Sequence, residues 1–137
     1  MELQVGVKAL LKNKEGKYLL LRRNPKKYPE VGPNWDIIGG RINPGLPLLD
    51  NLKREIMEEA RLDYHGTPKL VAAQDILKIP DRHVVRLTFT GDMEGEPKVD
   101  EEHLEAKWFT AAEIKAMSVT ELDSFFKELI DKENINL

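Results

Sequence analysis

Three glutamates, Glu55, Glu58 and Glu59, fall within five residues of a segment, Pro47 to Ala60, whose apolar residues recur every four. Leu48, Leu52, Ile56 and Ala60 form one stripe, so the segment predicts an amphipathic helix. At about 100° per residue the three carboxylates form a second stripe, about a quarter-turn from the apolar one. They should lie at the edge of the face that the helix buries. Like charges at three- and four-residue spacing cost a helix about 0.2–0.5 kcal/mol per pair. Two kinds of cation could offset this. Arg54 can pair with Glu58 across one turn, and a divalent ion that prefers oxygen ligands, Mg²⁺ or Mn²⁺, can sit on the carboxylates. A solvated charged face is the plain alternative for the same residues.

On either side of this helix the apolar period changes to two. Val5, Val7, Ala9 and Leu11 alternate with Gly6, Lys8 and Leu10, which predicts a strand. Asn13 to Gly16 reads as a turn and Tyr18 to Arg23 as a second strand, closing a hairpin. Pro25, Pro29, Gly32 and Pro33 predict an exposed loop over Asn24 to Asn34. Trp35 to Ile38 reads as a short extended piece ending at Gly39-Gly40. Two strands, Leu70 to Ile79 and His83 to Thr90, should follow the helix. Gly91 to Asp100 reads as an acidic loop and Leu104 to Phe109 as a last strand. Thr110 with Glu113, and Thr120 with Asp123, carry helix-start spacing. The second of these leads into a stripe of Leu122, Phe125, Phe126, Leu129 and Ile130. No repeat, low-complexity segment or linker divides the chain, so residues 1–137 are expected to form one domain.

Composition narrows the function. Lys and Arg total 21 against 24 Asp and Glu, a net charge of −3. That balance argues against a nucleic-acid binder, though not against a small phosphorylated ligand held by a few local cations. The chain has no cysteine, which excludes thiol nucleophiles, disulfides and Cys-ligated metals. The first residues lack the order of a signal peptide, and no apolar run approaches the ~20 residues of a membrane helix. A soluble cytoplasmic protein without a membrane partner is expected.

The segment from Gly40 to Leu62 resembles the Nudix box, G-x5-E-x7-R-E-U-x-E-E-x-G-U, where U is a bulky aliphatic residue. Gly40 takes the first position, Arg54, Glu55, Ile56, Glu58 and Glu59 the R-E-U-x-E-E core, and Leu62 the last. Gly39, Pro44-Gly45, Arg22-Arg23, Trp35 and Glu102 with Trp108-Phe109 also stand where Nudix hydrolases place similar residues. Two positions depart: Leu46 stands for the first Glu and Arg61 for the last Gly. Asp50, four residues before Arg54, is a candidate for the missing anionic partner and equally a surface residue. Arg61 stands where a left-handed residue commonly ends a helix; a side chain there costs of order 1 kcal/mol.

The resemblance implies an α/β fold, a Nudix-type α/β/α sandwich around a central mixed sheet. The box helix should lie on one side and a Thr120–Asn134 helix on the other. It also implies hydrolysis of a nucleoside diphosphate linked to another group, by attack of water on phosphorus. Glu55, Glu58, Glu59 and the Gly39 carbonyl would hold Mg²⁺ or Mn²⁺. Glu55 or Glu59 would help deprotonate the water, Arg54 would orient the glutamates, and Glu102 would complete the site. Arg23 and then Arg41 are the candidates for phosphate, and Trp35 for stacking a base or packing in the core. His83 starts a strand and could point into the cleft, a lone His being more often structural, while His65 and His103 lie in polar segments and say little. A (deoxy)nucleoside triphosphate is the expected substrate, with ADP-ribose or another nucleoside diphosphate sugar next. A catalytically weak nucleotide-binding Nudix module is the reading that Leu46 favours. The assembly is left open, a homodimer included.

Overall fold

Alternating burial along the strands sets the architecture. The computed structural model of the chain describes residues 1–29 and 34–137. In β1 (Glu2–Lys12), Val7, Ala9 and Leu11 face one core while Leu10 faces another. β2 (Tyr18–Arg23) does the same, with Leu19 and Leu21 on the first side and Tyr18 and Leu20 on the second. A sheet buried on both faces needs a cover on each, and the helices provide it.

β1 is the hub of a mixed seven-stranded sheet. It runs parallel to β6 (Arg82–Asp92) in an unbroken ladder from Glu2 with Arg82 to Lys12 with Asp92. β5 (Lys69–Ile76) pairs antiparallel with β6 and forms an edge. β4 (Ile38–Arg41) pairs antiparallel with β1. β2 touches β1 at Lys12 and Tyr18, then pairs with β3 (Trp35–Asp36) and β7 (His103–Phe109).

Helix α1 (Leu48–Ala60) covers the first core through Leu52, Ile56 and Ala60, with Leu48 exposed. The second core packs under α2 (Ala111–Lys115) and α3 (Ser124–Asp131) through Ile114, Phe126 and Leu129. This is the expected sandwich.

Three local expectations change. The extended piece at Trp35 continues through both glycines to Arg41, because β1 supplies ladder partners to Gly39 and Gly40. The Thr110–Glu113 capping box is present, but Thr120 caps nothing. Asp123 is the cap of α3, its carboxylate accepting from the Phe126 N–H at 3.0 Å, so the helix starts four residues later than its spacing suggested. It also stops at Asp131, followed by a left-handed Glu133. Of the expected loop Asn24–Asn34, Gly32 and Pro33 lie outside the described residues.

Candidate active site

The site begins with two glycines that serve different purposes. Gly39 has φ +149°, and a Cβ there would sit 2.0 Å from the Val7 carbonyl oxygen. No side chain fits, and the close approach lets β4 lie tight on β1. A Cβ on Gly40 would meet the Glu55 carboxylate at 2.9–3.1 Å. The missing side chain at Gly40 is the space that Glu55 occupies.

Glu55 and Glu59 are buried, with 7% and 6% exposure, whereas Glu58 is exposed. The helix thus turns two carboxylates inward under the sheet and one outward. Burial pushes the Glu59 carboxyl well above the usual range, and Glu55, which shares a hydrogen bond with it, pushes the same way. Lys8 and the Gly39 N–H, 3.4 Å from Glu59 Oε1, pull it down without reversing the shift.

Arg54 is the resident counter-ion. Its Nη1 lies 2.9 Å from Glu55 Oε1 and 3.1 Å from Glu58 Oε2, and its Nη2 donates to the Arg41 carbonyl and Asn51 Oδ1. The candidate partner Asp50 is exposed and is not among these contacts. The place belongs to Asn51, a buried residue that the sequence reading passed over because an Asn inside a helix carries no chemical signal of its own.

Across from α1, the loop before β7 closes an open cleft of about 650 Å³. Glu55, Glu58 and Glu59 line one side and Asp100, Glu101 and Glu102 the other, with Arg61 at the rim. Glu102 accepts a 2.9 Å hydrogen bond from the Tyr28 hydroxyl. His103 is a further residue here. Its side chain is 8% exposed, with Nδ1 2.7 Å from Asp100 and Nε2 3.8 Å from Glu59 Oε1. The available signal was the Asp-x-x-His spacing at the mouth of a strand.

The three expected substrate contacts are dispersed. Arg23 pairs with Asp36 and Asp123 and lies 5.7 Å from the Tyr28 ring centroid. Arg41 is exposed and donates to Gln4 at 2.7 Å. Partial burial, then the charges of Arg82 and Arg86, hold its guanidinium below the usual arginine range. Trp35 packs edge-on against Phe109 at 4.8 Å, in the second core.

Among the described residues, no three Asp, Glu or His side chains converge to enclose a metal ion as they stand. The donor set nevertheless suits one. It offers hard oxygens on a rigid helix, in a cleft where six carboxylates outnumber the Arg61 charge, and where two adjacent buried carboxylates repel.

The NUDIX domain family matches residues 2–130, and the chain belongs to that family. It is a Nudix hydrolase, acting on phosphoric anhydride bonds. The fold is similar to that of a MutT protein from Methanosarcina mazei, with a TM-score of 0.80 and 26% identity over 98% of this chain and 97% of that one. A MutT Nudix hydrolase from Burkholderia pseudomallei shares it at TM-score 0.76 and 22% identity, over 99% and 100% of the two chains. So does the Nudix domain of Shewanella oneidensis NrtR, solved with ADP-ribose, at TM-score 0.74 and 18% identity, over 98% and 90%. No curated protein matches the chain significantly.

Proposed function

We propose that the protein is a metal-dependent pyrophosphohydrolase of a (deoxy)nucleoside triphosphate, working in the cytoplasm. The observation that carries this reading is the buried Glu55–Glu59 pair at the floor of an acidic cleft, with Arg54 bridging Glu55 to Glu58. An anionic substrate cannot enter such a cleft without a cation. Glu55, Glu58 and Glu59, with the Gly39 carbonyl, would hold Mg²⁺ or Mn²⁺. The ion supplies polarisation of the phosphoryl oxygens and a lowered pKa for water.

The chain's own groups do the rest. Glu59, at the floor of the cleft beside Glu55, accepts the proton that the attacking water loses. Water's oxygen bonds to phosphorus as the anhydride P–O bond breaks. Arg54 fixes the carboxylates and does not touch substrate. Glu102, tied to Tyr28, sits on the opposite wall as a further acid of the site. Arg41, and Arg23 beside its Asp36 and Asp123 partners, are the cations assigned to phosphate charge. Trp35, packed against Phe109 in the second core and absent from the cleft lining, takes the packing role rather than the base contact.

The test is a panel of nucleoside triphosphates, ADP-ribose and nucleoside diphosphate sugars, scored for phosphate and pyrophosphate release with Mg²⁺ and Mn²⁺. A melting curve with each ion accompanies it. Binding to the native state at a hundredfold excess over Kd raises stability by about 2.7 kcal/mol. Pyrophosphate release from a triphosphate and a metal-dependent rise in Tm are expected. Turnover of ADP-ribose alone would replace the substrate. Binding without turnover would make the chain a nucleotide-sensing module.

A further inference from the structure

We propose that Asn51 is a positioning residue, setting Glu55 and Glu58 through Arg54. The inference rests on reading those glutamates as metal ligands.

Asn51 is wholly buried, with 0% exposure, at the start of α1's second turn. Its carboxamide is saturated. Oδ1 accepts from the Asn43 N–H at 2.8 Å and from Arg54 Nη2 at 3.0 Å. Nδ2 donates to the carbonyls of Leu46 at 2.8 Å and Pro47 at 3.2 Å. An amide offers two acceptor sites and two donor hydrogens, and all four are used. The orientation is therefore unambiguous, since the reverse would set the NH₂ against two donors and the oxygen against two carbonyls.

This one group joins three parts of the site. It ties the loop after β4 to the helix, closes the backbone just before α1, and anchors one arm of the Arg54 guanidinium. The Arg41 carbonyl anchors the same arm at 3.1 Å. A guanidinium is planar and rigid, so fixing Nη2 fixes Nη1. Nη1 is the nitrogen between Glu55 Oε1 and Glu58 Oε2. Carboxylates so held keep their oxygens aimed; partners of this outer kind typically contribute about 10–100-fold in metal affinity or activity.

Two variants separate positioning from plain structural support. Asn51→Asp keeps an acceptor for Arg54 and Asn43 but loses both donors to the loop carbonyls. Asn51→Ala loses everything. For each, Mn²⁺ affinity is measured on the free protein by electron paramagnetic resonance of the unbound ion, beside the metal-free Tm and kcat. Asn51→Ala is expected to weaken Mn²⁺ binding about 10–100-fold. Asn51→Asp is expected to melt lower than wild type while holding Mn²⁺ nearly as tightly. Rescue of metal affinity without rescue of Tm is what a structural role would not produce. Folded Asn51→Ala with wild-type Mn²⁺ affinity overturns the proposal, and so does equal loss in both variants. If Asn51→Ala does not fold, Asn51→Asp decides alone: retained affinity at a lowered Tm supports the role, and lost affinity in the folded variant overturns it. A wild type that binds no Mn²⁺ overturns the proposed function and this inference together, a result distinct from wild type and variants binding alike.

Discussion

Glu59 shows how much a residue's meaning depends on what lies beside it. On a helical wheel it is one of three similar acids. In the fold it is the one pressed between Glu55, the Gly39 N–H and His103, with its carboxyl held toward the protonated form by burial. Glu59→Gln keeps the shape and removes the charge. It should lower turnover by about 10²–10⁴-fold, the range of a positioned proton acceptor. It should also raise the metal-free Tm at neutral pH, because the amide removes the cost of burying an acid whose carboxyl burial and Glu55 hold above its ordinary range. Steady-state rates and a melting curve on one preparation check both. Wild-type turnover in the variant would remove Glu59 from the mechanism. At this scale the Arg54, Glu55, Glu58, Glu59 cluster and Glu102 were legible, because like charges at close spacing and a fixed pattern announce themselves. Asn51, His103 and Tyr28 were not. Tyr28 meets its partner 74 residues away, while the three-residue spacings of Asn51 to Arg54 and Asp100 to His103 are too common to mark a site by themselves.

At the scale of the element, α1 was the easiest helix to read and is the least conventionally ended. Pro47 takes the cap position and supplies no side-chain cap bond. At the other end, Arg61 adopts φ 58° and ψ 33°, its N–H bonded to the Met57 carbonyl. The left-handed geometry expected there is present, with a side chain in place of the glycine that adopts it freely. Arg61→Gly should therefore stabilise the fold by about 1 kcal/mol, observed as a rise of a few degrees in Tm. A fall would mean that the Arg61 side chain holds the cleft rim together. Elements whose periodicity came from burial were legible, as β1, β2 and α1 show. β4 was half hidden because its glycines have no strand preference and are extended by their ladder with β1. The start of α3 was misplaced because Ser118–Glu121 forms its own turn, the Glu121 carboxylate accepting from the Ser118 N–H at 3.0 Å.

At the scale of the whole molecule, a buried charge network ties four strands of the sheet to the start of α3. Asp36 is 3% exposed and faces Lys8 at 2.9 Å, with Arg23 and Arg86 beside it. Asp123, the cap of α3, accepts from the same Nη2 of Arg23 and from the other arm, Nη1, of Arg86. Burial alone would raise the Asp36 carboxyl; Lys8, Arg23 and Arg86 overcome it and hold it well below the usual carboxylate range. A depressed acid contributes stability that is present above its unfolded pKa of about 3.9 and is lost as pH falls toward the folded value. The protein should therefore lose stability progressively below about pH 4. Asp36→Asn should cost about 3–5 kcal/mol at neutral pH, since it strands buried cations, and should flatten the acid limb. Denaturant unfolding of both proteins across the acid range measures this. Equal pH dependence in the two would show that Asp36 does not drive it.

The ladder between β1 and β6 has a consequence in time. It pairs Glu2 with Arg82 and Lys12 with Asp92, so every rung joins residues 80 apart. A ribosome adding about 5–20 residues per second completes β1 about 4–16 s before its parallel neighbour exists. β4 and α1 emerge within that interval, and so does the turn to β2. Glu55, Glu58 and Glu59 are thus made, and their helix can be seated on one face of β1, while the other side of that strand is still open. An open strand of this kind is a template for foreign chains. For several seconds of each synthesis, the half of the protein that carries the α1 carboxylates is also the half most exposed to misassembly.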